Sequence, residues 1–262
     1  MFENLEERLR KHGLGRLAQP ILASVRECVR LKTEESDEDE IPVGSSKLGG
    51  RPDLPTGLEW PNWADGPLSF IAQFNTNELP DFADKGLLPE GTLLSFFWDT
   101  DAMDFGPEHK ECFRVIATPL GTTLARMPFP AQLSGEGRFT ACQLAARKSI
   151  SLPEWDSAIA ESWGMTEDES TAYVEGPYEA LMPGDKTGQH HQVLGYAQTI
   201  QGDMQHGKPF DEASDWRLLV QIDSDDEAEM QFVDGGRLYF WIRESDLRAG
   251  KFDRTWLTVD FY

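Results

Sequence analysis

The sequence predicts an α+β fold of mostly antiparallel strands in two duplicated, pseudo-symmetric halves, with an N-terminal helical arm and covering helices. Three observations predict it. The first is repetition: Leu48-Gly49 and the stretches 70–76, 91–96 and 114–118 are answered in the same order by Leu194-Gly195 and by 218–224, 236–241 and 254–258. Repeats of one supersecondary unit bury their apolar faces against each other, so two halves around a shared core follow. The second is the shortness of the apolar runs, which Gly and Pro bound at strand length. The third is core supply. Hydrophobic residues make up 39% of the 262, with eight Trp and fifteen Phe, and each buried aromatic removes roughly 150–250 Å² from water.

In chain order, residues 3–31 read as two helical pieces. Leu5 and Leu9 form a turn-spaced stripe that Gly13 ends, and Pro20 opens a second piece with Ile21, Val25, Cys28 and Val29 on one side. Residues 34–40 (Glu-Glu-Ser-Asp-Glu-Asp-Glu) repel one another into an extended, solvated linker. Arm and linker are therefore assigned to 1–40 and the compact body to 41–262. The first repeat, about 46–120, carries strands at 70–74, 93–98 and 113–120. Residues 93–98 are nearly all apolar, whereas a strand with one wet face alternates, so this strand is expected to be central and covered on both sides. Ser151 and Glu154 read as a capping box before the helical stripe Trp155, Ile159 and Trp163, with Gly164 as the stop. A second box, Thr166 to Glu169, opens a shorter helix towards Val174, and these helices are expected to cover a sheet. Pro177, Pro183, Gly184 and Gly188 mark the loop into the second repeat, about 192–262, with strands at 218–222, 238–242 and 256–261.

Composition narrows the partners. Asp and Glu number 46 against 24 Lys and Arg, a formal charge of −22, and no cluster of cations is present to displace counterions from phosphates. Nucleic acid is therefore excluded as an expected partner. An acidic surface keeps a chain soluble and attracts basic proteins. The N-terminus alternates charges without the apolar core of a signal peptide, and no apolar run reaches the roughly 20 residues of a membrane span. Cys28, Cys112 and Cys142 are far apart and lack a C-x-x-C spacing. A cytoplasmic protein with no membrane association and no cofactor is expected.

The run Lys47-Leu48-Gly49-Gly50-Arg51-Pro52-Asp53-Leu54-Pro55-Thr56-Gly57-Leu58-Glu59-Trp60-Pro61, the stretch 67–75, His191-Gln192-Val193-Leu194-Gly195-Tyr196 and Ile200-Gln201-Gly202-Asp203 together resemble the YwqG-like family of bacterial proteins of unknown function. The resemblance covers roughly 45–262. It implies a soluble cytosolic α+β protein and carries over no catalytic residues. Ala197 stands where the family pattern has proline after the Gly-Tyr pair.

Gln73 and Gln221 hold matching places in the two repeats, each inside an apolar strand. A buried amide is costly unless paired, so each is expected either to tie its strand to a loop backbone or to read a small polar ligand at the seam between halves. Asn75 and Asp223 follow them at strand ends, where side chains cap turns. These four are the ligand-binding candidates. Gly49 and Gly50 are expected to let backbone approach the sheet, with Trp60 beneath; Lys47 precedes them, so the run is no phosphate loop. Asp223, Asp225, Asp226, Glu227 and Glu229 crowd one loop, with Asp99, Asp101 and Asp104 in the comparable stretch of the first half. An EF-hand loop beginning at Asp223 fails because Ala228 and Asp234 stand where Gly and Glu are needed, so a solvated acidic loop is expected. His190 and His191 point opposite ways in an extended chain, and their spacing to Asp203 and His206 matches no metal motif. No Gly-x-Ser-x-Gly elbow is present and neither Cys112 nor Cys142 has a local catalytic signature.

Two functions follow as expectations. The first is a non-enzymatic interaction protein whose acidic surface binds a basic protein partner, neutralisation of a toxin being one such task. The alternative is a small-ligand binder or enzyme that uses the cleft between the repeats, lined by Gln73, Asn75, Gln221 and Asp223.

Overall fold

The structure is a computed structural model and describes residues 2–63, 66–100, 111–181, 190–202, 204–205, 209–210 and 215–261. In chain order come helix α1 (Phe2–Lys11), a 3-10 turn at Gly15–Leu17, α2 (Ala18–Ser24), and strands β1 (Arg26–Glu35), β2 (Lys47–Leu48), β3 (Asp53–Pro55), β4 (Asn62–Trp63), β5 (Gly66–Pro67), β6 (Ser69–Asn75), β7 (Thr92–Trp98), β8 (Phe113–Pro119), β9 (Leu124–Arg126) and β10 (Cys142–Ser151). The helices α3 (Ala158–Glu161) and α4 (Glu167–Tyr173) follow, then β11 (Gln192–Val193), β12 (Trp216–Asp223), β13 (Arg237–Arg243), α5 (Glu244–Arg248) and β14 (Trp256–Asp260).

One antiparallel sheet of ten strands, ordered β14-β13-β12-β11-β1-β10-β2-β6-β7-β8, carries the architecture, and β3 with β9 and β4 with β5 form small ribbons beside it. At its centre β1 and β10 pair along their full lengths, from Arg26 opposite Ser151 to Glu35 opposite Cys142. Four strands run outward on each side in chain order. The two wings curl towards each other: the rings of Phe96 in β7 and Phe240 in β13 lie 4.9 Å apart, and Phe113 in β8 is 6.2 Å from Phe240. Edge-to-face ring pairs of this kind fill the main core inside a nearly closed, barrel-like sheet.

Both faces of β7 and β13 are buried, which explains the absence of alternation in β7. Leu94, Phe96 and Trp98 point into the main core, while Phe97 packs outside with Leu54, Trp60, Leu68, Phe70 and Leu133. The other wing repeats the division: Leu238, Phe240 and Ile242 of β13 face inward, Tyr239 and Trp241 outward. All seven residues of β7 are buried, as expected for a strand flanked on both sides.

The registers of the wings also match. Lys47 sits opposite Gln73 and Gln192 opposite Gln221, and each glutamine follows a bulge, between Phe70 and Ala72 in β6 and between Leu218 and Val220 in β12. Position for position this aligns Leu48 with Val193 and Gly49-Gly50 with Leu194-Gly195, one residue away from the sequence match of Leu48-Gly49 with Leu194-Gly195. Leu194 hides the correspondence. At φ 55° it adopts the left-handed backbone that Gly49 adopts at 63°, a conformation for which a residue with a side chain is the exception.

Three expectations for the elements are corrected. The second helical piece ends at Ser24, and Arg26–Glu35 is a central strand. Val29, Leu31 and Thr33 alternate with Lys32 and Glu34 at the two-residue period of a strand, and pairing on both edges outweighs the helical spacing of Ile21, Val25 and Val29. The helical arm is thus confined to residues 2–24, and the boundary drawn near residue 40 does not separate it from the sheet. The acidic run is likewise no free linker throughout: Glu34 and Glu35 belong to β1, and the Glu38 carboxylate holds Arg51 Nε at 2.7 Å and Lys47 Nζ at 3.3 Å. Finally, Ser151 ends β10 instead of capping a helix; Ser157 caps the short α3, accepting from Ala160 N. The Thr166–Glu169 capping box does form and opens α4. These helices pack mainly on the arm, with Tyr173 and Tyr178 against Leu5, Leu9, Leu14 and Ile21, and with Ile150 and Leu152 beneath.

Candidate functional site

The two glutamines each clasp a loop at both ends. Fully buried on β6, Gln73 donates from Nε2 to Ser45 O at 2.7 Å and to Asp53 Oδ2 at 2.8 Å, while Oε1 accepts from Asp53 N at 2.9 Å. On β12, Gln221 donates to His190 O at 2.6 Å and accepts from Gln198 N at 2.8 Å. Donor and acceptor groups of both amides are therefore committed inside the protein, which offsets the cost of burying them. Asn75 donates to Gly44 O at 2.9 Å and accepts from Asn77 N at 3.0 Å, closing an Asx turn. Asp223 accepts from His190 N at 3.0 Å and pairs with Arg237 Nε at 3.0 Å.

Each pair thus gathers around its own loop, 44–53 or 190–198, and β2, β10, β1 and β11 lie between them in the sheet. The four candidates do not line one cleft.

The loops themselves enclose charges that the pattern of the sequence did not single out. Lys47 is wholly buried and donates to Arg51 O, with Asp53 at 3.9 Å; burial lowers its pKa and Asp53 offsets part of the effect. Asp53 is in turn paired with Arg126 at 3.0 Å. Gln192 occupies the matching place on the other side and donates to Leu194 O at 2.6 Å and Tyr196 O at 2.8 Å. The glycines permit this winding. A Cβ on Gly49 would lie 2.2 Å from Thr140 O, and one on Gly195 2.7 Å from Cys28 Cβ. Trp60 packs elsewhere, on the outer face of β7, where Nε1 donates to Leu68 O at 2.8 Å. The legible signal for these residues was Lys47, Gly49, Gly50 and Asp53 standing together in one run.

The histidines are structural as well. His191 Nδ1 accepts from Asp223 N at 3.1 Å, so the ring proton sits on Nε2 and is donated to Asp225 Oδ2 at 3.0 Å. Burial alone would raise the pKa of Asp225, but bonds from His191, Ala228 N and Thr33 outweigh it and leave the carboxylate below its ordinary value. His190 faces Gln198 Oε1 at 3.1 Å, and burial, followed by the nearby Arg237, pushes its pKa down to about 4. Among the described residues no group of three or more His, Cys, Asp or Glu is placed to hold a metal. Asp101, Asp104, Asp203 and His206 lie outside the described residues.

Two acidic runs far apart in the chain meet at one end of the central strands. Thr33 in β1 donates to Asp225 at 2.8 Å, Thr140 before β10 donates to Glu229 at 2.6 Å, and Thr140 N donates to Ala228 O at 2.8 Å. The 225–229 loop is thereby pinned beside the end of β1. Cys142, opposite Glu35, registers the result: burial first, then Asp225, Glu227 and Glu35, push its thiol up to about 12. Glu34, Glu35, Asp37, Asp226, Glu227 and Glu229 around this point are all exposed.

A family model described as a domain of unknown function (DUF1963) matches residues 46–260. The chain belongs to the DUF1963 family. The DUF1963 match starts just before β2 and ends with β14, so it takes in both wings, the whole 190–198 loop and the 44–53 loop from residue 46 on, while β1 precedes it. No curated protein matches the chain. No helix among the described residues is long and apolar enough to cross a membrane.

Proposed function

We propose that this DUF1963 member is a non-enzymatic binding protein whose acidic face engages a basic protein partner. The observation that carries the proposal is the meeting of residues 34–37 with 226–229, which concentrates exposed carboxylates contributed by both ends of the chain. Like charges held this close raise the free energy of the unbound surface, and a cationic partner relieves that repulsion. The commitment of Gln73, Gln221 and His191 to internal bonds supports a scaffolding role for the buried polar groups. Three buried free cysteines suit a reducing cytoplasm. The same reading takes the wings as copies of one unit, supported by their matching registers, bulges and left-handed loop residues, and places the chain with the YwqG-like bacterial proteins.

Capture from a native lysate at low salt, followed by a high-salt wash, tests the proposal. The screening length falls from about 30 Å at 0.01 M to about 3 Å at 1 M, so a basic protein held by the acidic face is expected in the salt eluate. Retention only of proteins that salt does not release would contradict the electrostatic reading.

A further inference from the structure

Arg26 opens β1 with its guanidinium over the ring of Tyr196, 4.2 Å from the centroid. Among the described residues it makes no ion pair and no side-chain hydrogen bond. Neighbouring carboxylates are already engaged: Glu244 by Arg217 at 2.6 Å and Arg248 at 2.8 Å, and Asp215 by Arg243 at 2.9 Å. Burial lowers the pKa of Arg26 and Arg217 adds to the effect, while Tyr196, Asp84 and Glu244 offset part of it. Arg26 is thus a cation with no direct ion pair among the described residues, with Asp84 and Glu244 acting on it only through space.

This cation lines a cavity of about 440 Å³ together with Glu154, Tyr196, Trp216, Leu218 and Trp241. That volume lies in the range of small-molecule sites. The indole Nε1 of Trp216 is buried there without an acceptor among the described residues, and a buried unmet donor favours a ligand that brings an acceptor. Arg26 and Trp216 also line an adjoining cavity in which Arg217 and Arg248 are paired with Glu244 and Asp215 stands beside them, which leaves Arg26 as the cation there without a direct ion pair among the described residues. Glu154, whose Oε1 accepts from Thr199 N at 2.9 Å and from the Tyr178 hydroxyl, sets the opposite preference at its own wall. A second negative charge on a ligand would be repelled by it.

We propose that this cavity binds a small planar, apolar monocarboxylate, with its carboxylate on the Arg26 guanidinium and the Trp216 N–H, and its ring against Trp241 and Leu218. The site is distinct from the acidic face and from both glutamine-held loops, and nothing in it requires catalysis. Its specificity comes from one fixed cation, one orphan donor and a neighbouring carboxylate that limits the ligand charge.

Calorimetry and tryptophan fluorescence with benzoate, its neutral isostere benzamide, and phenyl phosphate test the proposal on the intact chain. Benzoate is expected to bind at least about tenfold more tightly than benzamide, because a charge-assisted bond is roughly twice as strong as a neutral one. Equal affinities, or no binding of benzoate, would overturn the site. Phenyl phosphate binding more tightly than benzoate would overturn the monocarboxylate assignment. Arg26→Gln is expected to abolish the preference for benzoate over benzamide, and Trp216→Phe, which keeps a ring and removes the N–H, to weaken benzoate severalfold. An unchanged preference in Arg26→Gln contradicts the proposal, and the comparison on the unmodified chain decides the matter should that variant not fold.

Discussion

At the scale of single residues, the buried amides are the clearest case of sequence dictating structure. Gln73 and Gln221 stand out as lone polar side chains in apolar strands, and the structure gives each a loop to hold. Removing one leaves buried backbone groups orphaned, so Gln73→Ala and Gln221→Ala are each expected to lose about 1–3 kcal/mol in urea denaturation. A loss below a few tenths of a kcal/mol would mean that the amides are not clasps. His190 makes a second prediction. Its folded pKa is about 4 against an ordinary 6.5, so between those values the unfolded chain binds the extra proton. The stability this confers is full above about pH 6.5 and is lost as pH falls to about 4, of order 1–3 kcal/mol in all. The difference in unfolding free energy between the parent and His190→Gln should therefore shrink as pH falls through this window; a flat difference would contradict the placement of the ring. What sequence did not reveal at this scale was the ion cluster of Lys47, Asp53 and Arg126. Arg126 lies outside the Lys47–Asp53 run, and only β3–β9 pairing brings it there.

At the scale of elements, the strands of the wings were legible, the doubly buried β7 and β13 and the alternating β8 alike, while the central β1 and β10 were not. β7 and β13 are continuous apolar runs, and a run of that length between turn residues has one good solution. β1 carries its apolar residues at a spacing that serves a helix and a strand alike, and its charged residues mimic the polar face of a helix. What decides is the availability of edges on β10 and β11, which no local pattern records. β10 also went unpredicted: Cys142, Leu144 and Ala146 alternate with the exposed Gln143, Ala145 and Arg147, but Lys148 breaks the period and Ser149, Ile150 and Ser151 are all buried. The consequence is testable. A chain beginning at Ser46, where the family match starts, lacks the strand that joins the wings and should give a poorly dispersed amide spectrum; a native-like spectrum would show that β1 is dispensable. Leu9→Ala should cost about 2–5 kcal/mol, since Leu9 is fully enclosed between the arm and Tyr173.

At the scale of the whole molecule, the curled sheet leaves Gln73 and Gln221 satisfied in the loops and carries exposed carboxylates at one end of its central strands. Composition alone indicated an acidic surface, but not where the charge would concentrate. That location follows from the β1–β10 pairing and the bonds of Thr33 and Thr140, which bring together two runs separated by most of the chain. The central claim is that this face selects the partner. Its most direct test is low-salt capture with the parent protein and with a variant carrying Glu34→Gln, Glu35→Gln, Glu227→Gln and Glu229→Gln, all exposed positions that leave the core untouched. The parent is expected to retain a basic protein that the folded variant does not; retention of the same protein by both would contradict the claim.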